Sequence, residues 1–307
     1  LSNEEIIRSA ELLAVDPETG KEGLTLAAIL LFGIFTSLFI FNRIKFDAEL
    51  KASTVTVWIP MEDENSEQQF LSRLEKFNED YPHIIVEVKC IPVNEYDDAI
   101  DTAAKDDKLP TLFVSTNANK GVLNETVELD DVFKVAEKDD LFLMKDYNKY
   151  FPDKNQVPTG LDIAIIYENK KIDVFTDNNE LDDFISEKTK YYVSGVDSYN
   201  EIQTNMGGKY SISIDFDKQK IPTCFVECWS VSDDGTHDEQ AAGKRIISYL
   251  LGENSQDIRY VQNANGIPLN KTVFSEYTDV NYELEILKDQ MDNLFVDKED
   301  LFDILIL

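Results

Sequence analysis

The chain has 307 residues, 43% of them hydrophobic, and a formal net charge of -31 from 60 acidic and 29 basic side chains. That length builds one two-lobed domain or two small ones, and that apolar content excludes wholesale disorder. The acidic excess is spread along the chain, which excludes nucleic acid as a partner and favours neutral or cationic ligands.

Residues 1–22 carry Ile6, Ile7, Ala10, Leu12 and Leu13 at the spacing of a short amphipathic helix, then a turn at Asp16-Pro17-Glu18-Thr19-Gly20. Beginning on Leu, this piece is expected to be a cytoplasmic stub, the end of something longer. Residues 23–41 (GLTLAAILLFGIFTSLFIF) hold no charged side chain. Such a run covers roughly 28 Å as a helix, close to the thickness of a bilayer core. A signal peptide would open on a basic stretch and end on small residues. Here an acidic stretch precedes the run and Asn42-Arg43-Ile44-Lys45 follows it. The expectation is a transmembrane helix over 23–42, a linker over 43–53 and an extracellular domain over 54–307. Arg8 and Lys21 before the helix, against Arg43, Lys45 and Lys51 after it, vote weakly against that orientation.

Residues 54–59 (TVTVWI) alternate as a strand and stop at Pro60. Over 66–80 the apolar Phe70, Leu71, Leu74 and Phe77 fall at helical spacing, and Tyr81-Pro82 ends that helix. A strand over 84–91, a helix over 96–105 and a short buried strand over 111–115 follow. This β-α-β-α-β order predicts an α/β sheet with right-handed crossovers. Ligands of such sheets sit beyond the carboxyl ends of the strands, here residues 58–63 and 116–119. Further strands are expected over 161–167, 210–216 and 224–231. Helices are expected over 181–190, 238–251, about 254–262, and most of 282–307. A turn is expected at Asn265-Gly266-Ile267-Pro268, and no repeat of fixed period is present.

No constellation for catalysis emerges. His83 and His237 are the only histidines and stand far apart in the sequence. The phosphate-binding motifs GxxxxGK[ST] and GxGxxG are absent, so no cofactor is expected. Cys90, Cys224 and Cys228 lack metal or redox spacing, and Cys224 and Cys228 stand about 13 Å apart along one strand, too far for a disulfide. They read as small buried hydrophobes. The run Asp233 to Asp238 lacks the spacing and closing Glu of a calcium loop, and reads as a helix-capping loop with Thr236 or Asp238 as the cap.

Three segments resemble the extracellular solute-binding proteins, family 1, the maltose-binding-like components of ABC importers. They are TVTVWIPMEDENSEQQFLSRLEKFNEDYPHIIVEV from Thr54, VPTGLDIAIIYENKKI from Val157, and the run from Cys228 to Tyr277. Tyr167-Glu168-Asn169-Lys170 stands, with one inserted residue, where that family has Tyr-Asn-Lys. Gly266-Ile267-Pro268-Leu269-Asn270-Lys271 stands in the place of its GxxPxN-and-Lys element. The resemblance implies a two-lobed α/β domain of the periplasmic-binding-protein type II, closing on a ligand. Lobe 1 is expected over about 54–160 and 222–265, and a reduced lobe 2 over about 161–221 and 266–307. It further implies a non-enzymatic capture of a sugar or oligosaccharide beside an ABC permease, with Trp58, Glu62, Asn117 and Trp229 as ligand contacts. The short second lobe, and the membrane segment in place of a lipid-anchored Cys, depart from the family. The short second lobe and the expected upstream cytoplasmic piece leave a second reading open: a sensor or protein-interaction ectodomain with a vestigial cleft.

Overall fold

The computed structural model describes residues 13–15, 22–24, 50–61, 63–134, 140–142, 144–174, 179–214, 221–262, 266–291 and 294–296. It divides into a unit over residues 1–51 and another over residues 52–307. In the first, β1 (Leu13–Val15) pairs with β2 (Glu22–Leu24) as an antiparallel hairpin. Gly23 and Leu24 therefore stand in a strand, where a membrane helix was expected to begin, because their backbone bonds to β1. The rest of that expected helix, the stub up to Leu12 and most of the linker lie outside the described residues. Among the described residues, no helix is long and apolar enough to cross a membrane.

The second unit opens with β3 (Ser53–Met61), whose Val55, Val57 and Ile59 alternate into the core. The expected helix after it is two helices, α1 (Ser66–Arg73) and α2 (Glu75–Asp80), broken at Leu74. Leu74 is fully buried and its N–H bonds back only three residues, to Leu71 O at 3.0 Å, which tightens the turn and redirects the chain. Then come β4 (Ile84–Pro92), α3 (Val93–Lys105) and β5 (Leu112–Val114). β3 pairs in parallel with both β4 and β5, as the alternation of strands and helices predicts. The short helices α4 (Lys120–Leu123) and α5 (Tyr147–Tyr150) lead to β6 (Val157–Ile163).

A single strand was expected over 161–167. Instead the chain changes sheets at Ala164: β6 ends at Ile163 and β7 (Ile165–Asn169) begins a second sheet. That sheet has three antiparallel strands in the order β8-β7-β9, built with β8 (Tyr191–Ser194) and β9 (Tyr210–Ser213). Helices α6 (Leu181–Ile185) and α7 (Tyr199–Met206) accompany it. Tyr167, Phe184, Tyr192 and Tyr210 form its aromatic core, with ring centroids 5.9 to 6.4 Å apart.

The chain returns to the first sheet with β10 (Ile221–Val231), antiparallel to β5 and β6. The helix α8 (His237–Leu250) is started by a capping box: Thr236 Oγ1 accepts from Glu239 N, and Glu239 Oε2 accepts from Thr236 N at 2.7 Å. After α9 (Glu253–Gln256) and a π-helical turn (Asp257–Val261), β11 (Ile267–Pro268) pairs with β6, and α10 (Lys271–Val280) packs on β11 and the π-helical turn. Residues 267–280, expected in the second lobe, thus pack on the large sheet, because β6 offers β11 its open edge. The 3-10 turn Tyr282–Leu287 then contacts β9, and Tyr199 Oη donates to Glu283 Oε2 at 2.6 Å, so the chain crosses back to the small sheet at Asn281. Where a helix was expected over most of 282–307, the described residues hold that turn and β12 (Leu294–Val296), which pairs in parallel with β10; residues 297–307 lie outside the described residues. The large sheet has seven strands, ordered β11-β6-β10-β5-β3-β4 with β12 beside β10.

Behind β6, the Tyr260 hydroxyl donates to Thr159 O at 3.1 Å, and the buried Gln256 amide bonds Thr159 O, Leu250 O and Leu269 N. Gly160 makes room for this layer: a Cβ there would stand 2.0 Å from Tyr260 Oη. Gly160→Ala is expected to cost about 1–3 kcal/mol in a urea titration, through overpacking at a site that cannot relax.

Candidate functional site

At the carboxyl ends of β3 and β5, these two strands stop pairing and a cavity of about 310 Å³ opens. β3 and β5 share only the pairs Val57 with Leu112 and Trp58 with Phe113. Beyond them the Tyr96 hydroxyl takes over the ladder, donating to Trp58 O at 2.9 Å and accepting from Val114 N at 3.0 Å. Burial pushes that hydroxyl's pKa far up, so it stays a neutral strut under the cavity. The walls are Ile59, Pro60, Phe70, Val93, Val114 and Val226; the polar groups around them are Ser66, Gln69, Asp97, Thr116 and Asn117.

The deep end is ionic. Arg73 from α1 meets Glu227 of β10 in a bidentate pair, Nη1 to Oε1 at 2.7 Å and Nη2 to Oε2 at 2.8 Å. Its Nε donates to Ser255 Oγ at 3.3 Å, which joins α9 to the same cluster. Arg259, on the π-helical turn, brings Nη2 to 3.9 Å from Glu227 Oε1. Glu227 holds φ at +53°, and the β6–β10 ladder skips it, running from Val226–Gly160 to Cys228–Pro158. The Thr159 hydroxyl fills that gap, 2.7 Å from Glu227 Oε2 and 3.1 Å from Glu227 O. A left-handed backbone at a non-glycine residue costs about 1 kcal/mol or more, and the fork of Arg73 with the Thr159 bond offsets it. Burial pushes the Glu227 carboxyl up, but the Arg73 and Arg259 guanidinia and the hydrogen bonds from Arg73 and Thr159 outweigh that and hold it at about 2.

Of the four residues expected at the site, Asn117 lines the cavity, its Nδ2 3.5 Å from Asp97 Oδ2. Trp229 is fully buried one ring behind the wall, stacked under Phe70 at 5.4 Å, and its Nε1 has no hydrogen-bond partner. The Trp58 indole faces the other side of the sheet, where Lys89 Nζ lies 3.9 Å from its centroid, in a shallow depression with Glu95, Asp98 and Asp106. Strand alternation decides this, since Ile59 and not Trp58 points to the cavity side, and the Trp58 carbonyl accepts from the Tyr96 hydroxyl. Glu62 lies outside the described residues. No group of three or more His, Cys, Asp or Glu among the described residues is arranged to hold a metal ion.

Sequence reasoning missed the Arg73–Glu227 pair, although two signals pointed to it. Glu227 is the lone charge in the strand IPTCFVECWSV, and Arg73 falls on the same helical face as Phe70, Leu74 and Phe77. A buried charge on each of two elements calls for a partner.

No family model matches the chain, and no curated protein matches it. Solved structures do. The ABC substrate-binding protein Lmo0181 of Listeria monocytogenes, in complex with cycloalternan, superposes with a TM-score of 0.61 at 13% identity, over 79% of this chain and 87% of that one. Maltose-bound MalE3 of T. maritima gives 0.61 at 12% identity, over 80% and 89%. An extracellular solute-binding protein family 1 member from Alicyclobacillus acidocaldarius gives 0.56 at 10% identity, over 83% and 90%. The chain therefore has the mixed α/β, two-lobed fold of the maltose-binding type of solute-binding proteins.

The ionic floor makes a test of the site's rigidity. Glu227→Gln leaves Arg73 buried without its charge partner and is expected to cost about 3–5 kcal/mol near neutral pH. Because the folded carboxyl's pKa is depressed, the pair's contribution is complete above the unfolded carboxyl's 4.5 and is lost as pH falls through about 2. Urea titrations of both proteins are expected to show a gap that is full at neutral pH and closes in acid.

Proposed function

We propose that residues 54–307 form a non-enzymatic binding domain that captures a small sugar of one or two rings. The domain would serve an ABC-type importer at the outer face of the membrane, held there by the apolar run that follows β2. The observation that carries the reading is the cavity at the carboxyl ends of β3 and β5, where ligands of α/β sheets bind. Its volume of about 310 Å³ stands at the small end of ligand pockets, which run from about 300 to 1,000 Å³. Its mixture of apolar walls with a carboxylate, two amides and two hydroxyls suits a ligand with hydrophobic faces and a rim of hydroxyls. The fold neighbours, one holding cycloalternan and another maltose, support a carbohydrate as the class.

In this reading Asp97 and Asn117 take ligand hydroxyls, Gln69 and Thr116 assist, and the Phe70 ring forms the stacking wall with Trp229 keeping it flat. The Arg73–Glu227 pair closes the bottom and engages no solute charge, because its groups already satisfy one another.

A second reading, a sensor or protein-interaction ectodomain, is favoured by one feature. Val280, Tyr282 and Ile286 stand 63%, 64% and 40% exposed around the crossing at Asn281.

A thermal-shift panel of mono- and disaccharides against the full chain separates the two. A ligand of the folded state alone raises Tm with concentration. Asp97→Ala is expected to leave the unliganded Tm within a degree or so and to weaken that sugar's binding roughly tenfold, the loss of one charge-assisted hydrogen bond. A well-folded protein that no sugar stabilises overturns the capture reading in favour of the second.

A further inference from the structure

The joint between the two sheets holds an acid that the cavity does not use. Asp162 is the penultimate residue of β6, two positions before the chain changes sheets at Ala164. Its Oδ1 accepts from its neighbour Ile163 N at 2.8 Å and, across the joint, from Val196 N at 2.7 Å. Val196 opens the turn Val196–Ser198, which follows β8 of the small sheet. The docking is close: a Cβ on Gly195 would stand 1.9 Å from Asp162 Oδ2, so only glycine lets the turn sit there. The Gly195 carbonyl is held in turn by the buried Tyr167 hydroxyl of β7 at 3.0 Å. One carboxyl thus ties the last turn of the large sheet's strand to the small lobe.

Among the described residues, the groups around that carboxyl offer it no positive charge. Asp197 faces it from the docked turn, Tyr167 from β7, Tyr277 from α10, and Cys224 stands opposite it in the β6–β10 pairing. The Tyr277 hydroxyl is buried and makes no hydrogen bond among the described residues. The carboxyl therefore sits among two phenols, a thiol and another carboxylate.

We propose that Asp162 is a proton-operated clasp between the lobes: neutral, it holds the Gly195–Val196 turn against β6, and ionised, it favours the undocked arrangement in which water reaches it. Hinges of two-lobed proteins are a few residues at element ends, which is where Asp162 stands. Burial, and then the Asp197 charge, push the docked carboxyl up to about 7, against two backbone N–H bonds that pull it down. In the undocked arrangement it returns toward the ordinary value of 3.8. The sign follows by linkage. Each step up in pH between those values favours the arrangement that binds fewer protons, so undocking rises until about pH 7 and then levels off. The clasp is a property of the joint and holds whatever the cavity binds.

The test needs no ligand. Hydrogen exchange of the full chain, corrected for intrinsic exchange, follows the Val196 amide against the Tyr192 and Val193 amides of β8. From about pH 5 to about pH 7, Val196 protection is expected to fall on the order of tenfold or more and then stay level, while the β8 amides change far less. In Asp162→Asn, which keeps the acceptor oxygen and removes the charge, Val196 protection is expected to vary less than about twofold over the same range. Flat wild-type protection, or an Asn variant that follows the wild-type slope, overturns the clasp. Should the Asn variant not fold, the wild-type profile decides alone: a fall that levels off near pH 7 supports the clasp, and any other shape overturns it.

Discussion

The bidentate pair between Arg73 and Glu227 is the interaction on which the cavity depends. It joins α1 to β10 at the place where β10 breaks its ladder, and through Ser255 and Thr159 it reaches α9 and β6. Two opposite charges with side-chain exposures of 3% and 12% are costly to bury, and they stay only if every lone pair and N–H is used. Here the Arg73 Nε is used by Ser255 and both Glu227 oxygens by Arg73. The left-handed backbone at Glu227 is the local cost of turning that carboxylate toward Arg73. The result is a bidentate pair whose donors and acceptors meet one another, beneath walls that are mostly apolar.

The same rule, that buried polar groups must find partners, explains the layer behind the floor. Thr159 O accepts from both Gln256 and Tyr260, and Gly160 leaves the space that this requires. Tyr96 obeys it on the other side, its hydroxyl standing in for the sheet ladder where β3 and β5 part. The cavity exists because two strands diverge, and three side chains from different elements take up the backbone and charge groups that the divergence leaves. Asp162 is the contrasting case. Its Oδ1 is satisfied by two backbone N–H groups, but among the described residues no cation faces its charge, which makes the joint sensitive to protonation.

Local pattern made much of the large sheet legible. The alternation in β3, the helical spacing of Phe70, Leu74 and Phe77, and the capping signal at Thr236 all lie within a few residues of what they determine. Segments whose conformation depends on distant partners were read less well. The run over 161–167 looks like one strand because both halves are apolar, yet it serves two sheets, since β6 bonds to β10 and β7 to β8 and β9. The tail near Leu294 has helical spacing but completes the edge of β10. The aromatic β8 and the helix α7 went unread, because neither carries a strong period over its short length.

By itself the sequence determined the acidic balance, the α/β order and the resemblance of three separate segments to two-lobed solute-binding proteins, because these reside in composition and short-range spacing. It also held the place of the cavity in outline, at the ends of the first and third strands of the domain. Tertiary structure alone decided which side chains face that cavity. Strand alternation turns Trp58 to the opposite side, packing buries Trp229 beneath Phe70, and an ion pair spanning residues 73 and 227 makes the floor. A side chain's neighbours across a sheet are set by register and by the layers packed on it, and neither is written in the residues adjacent to it.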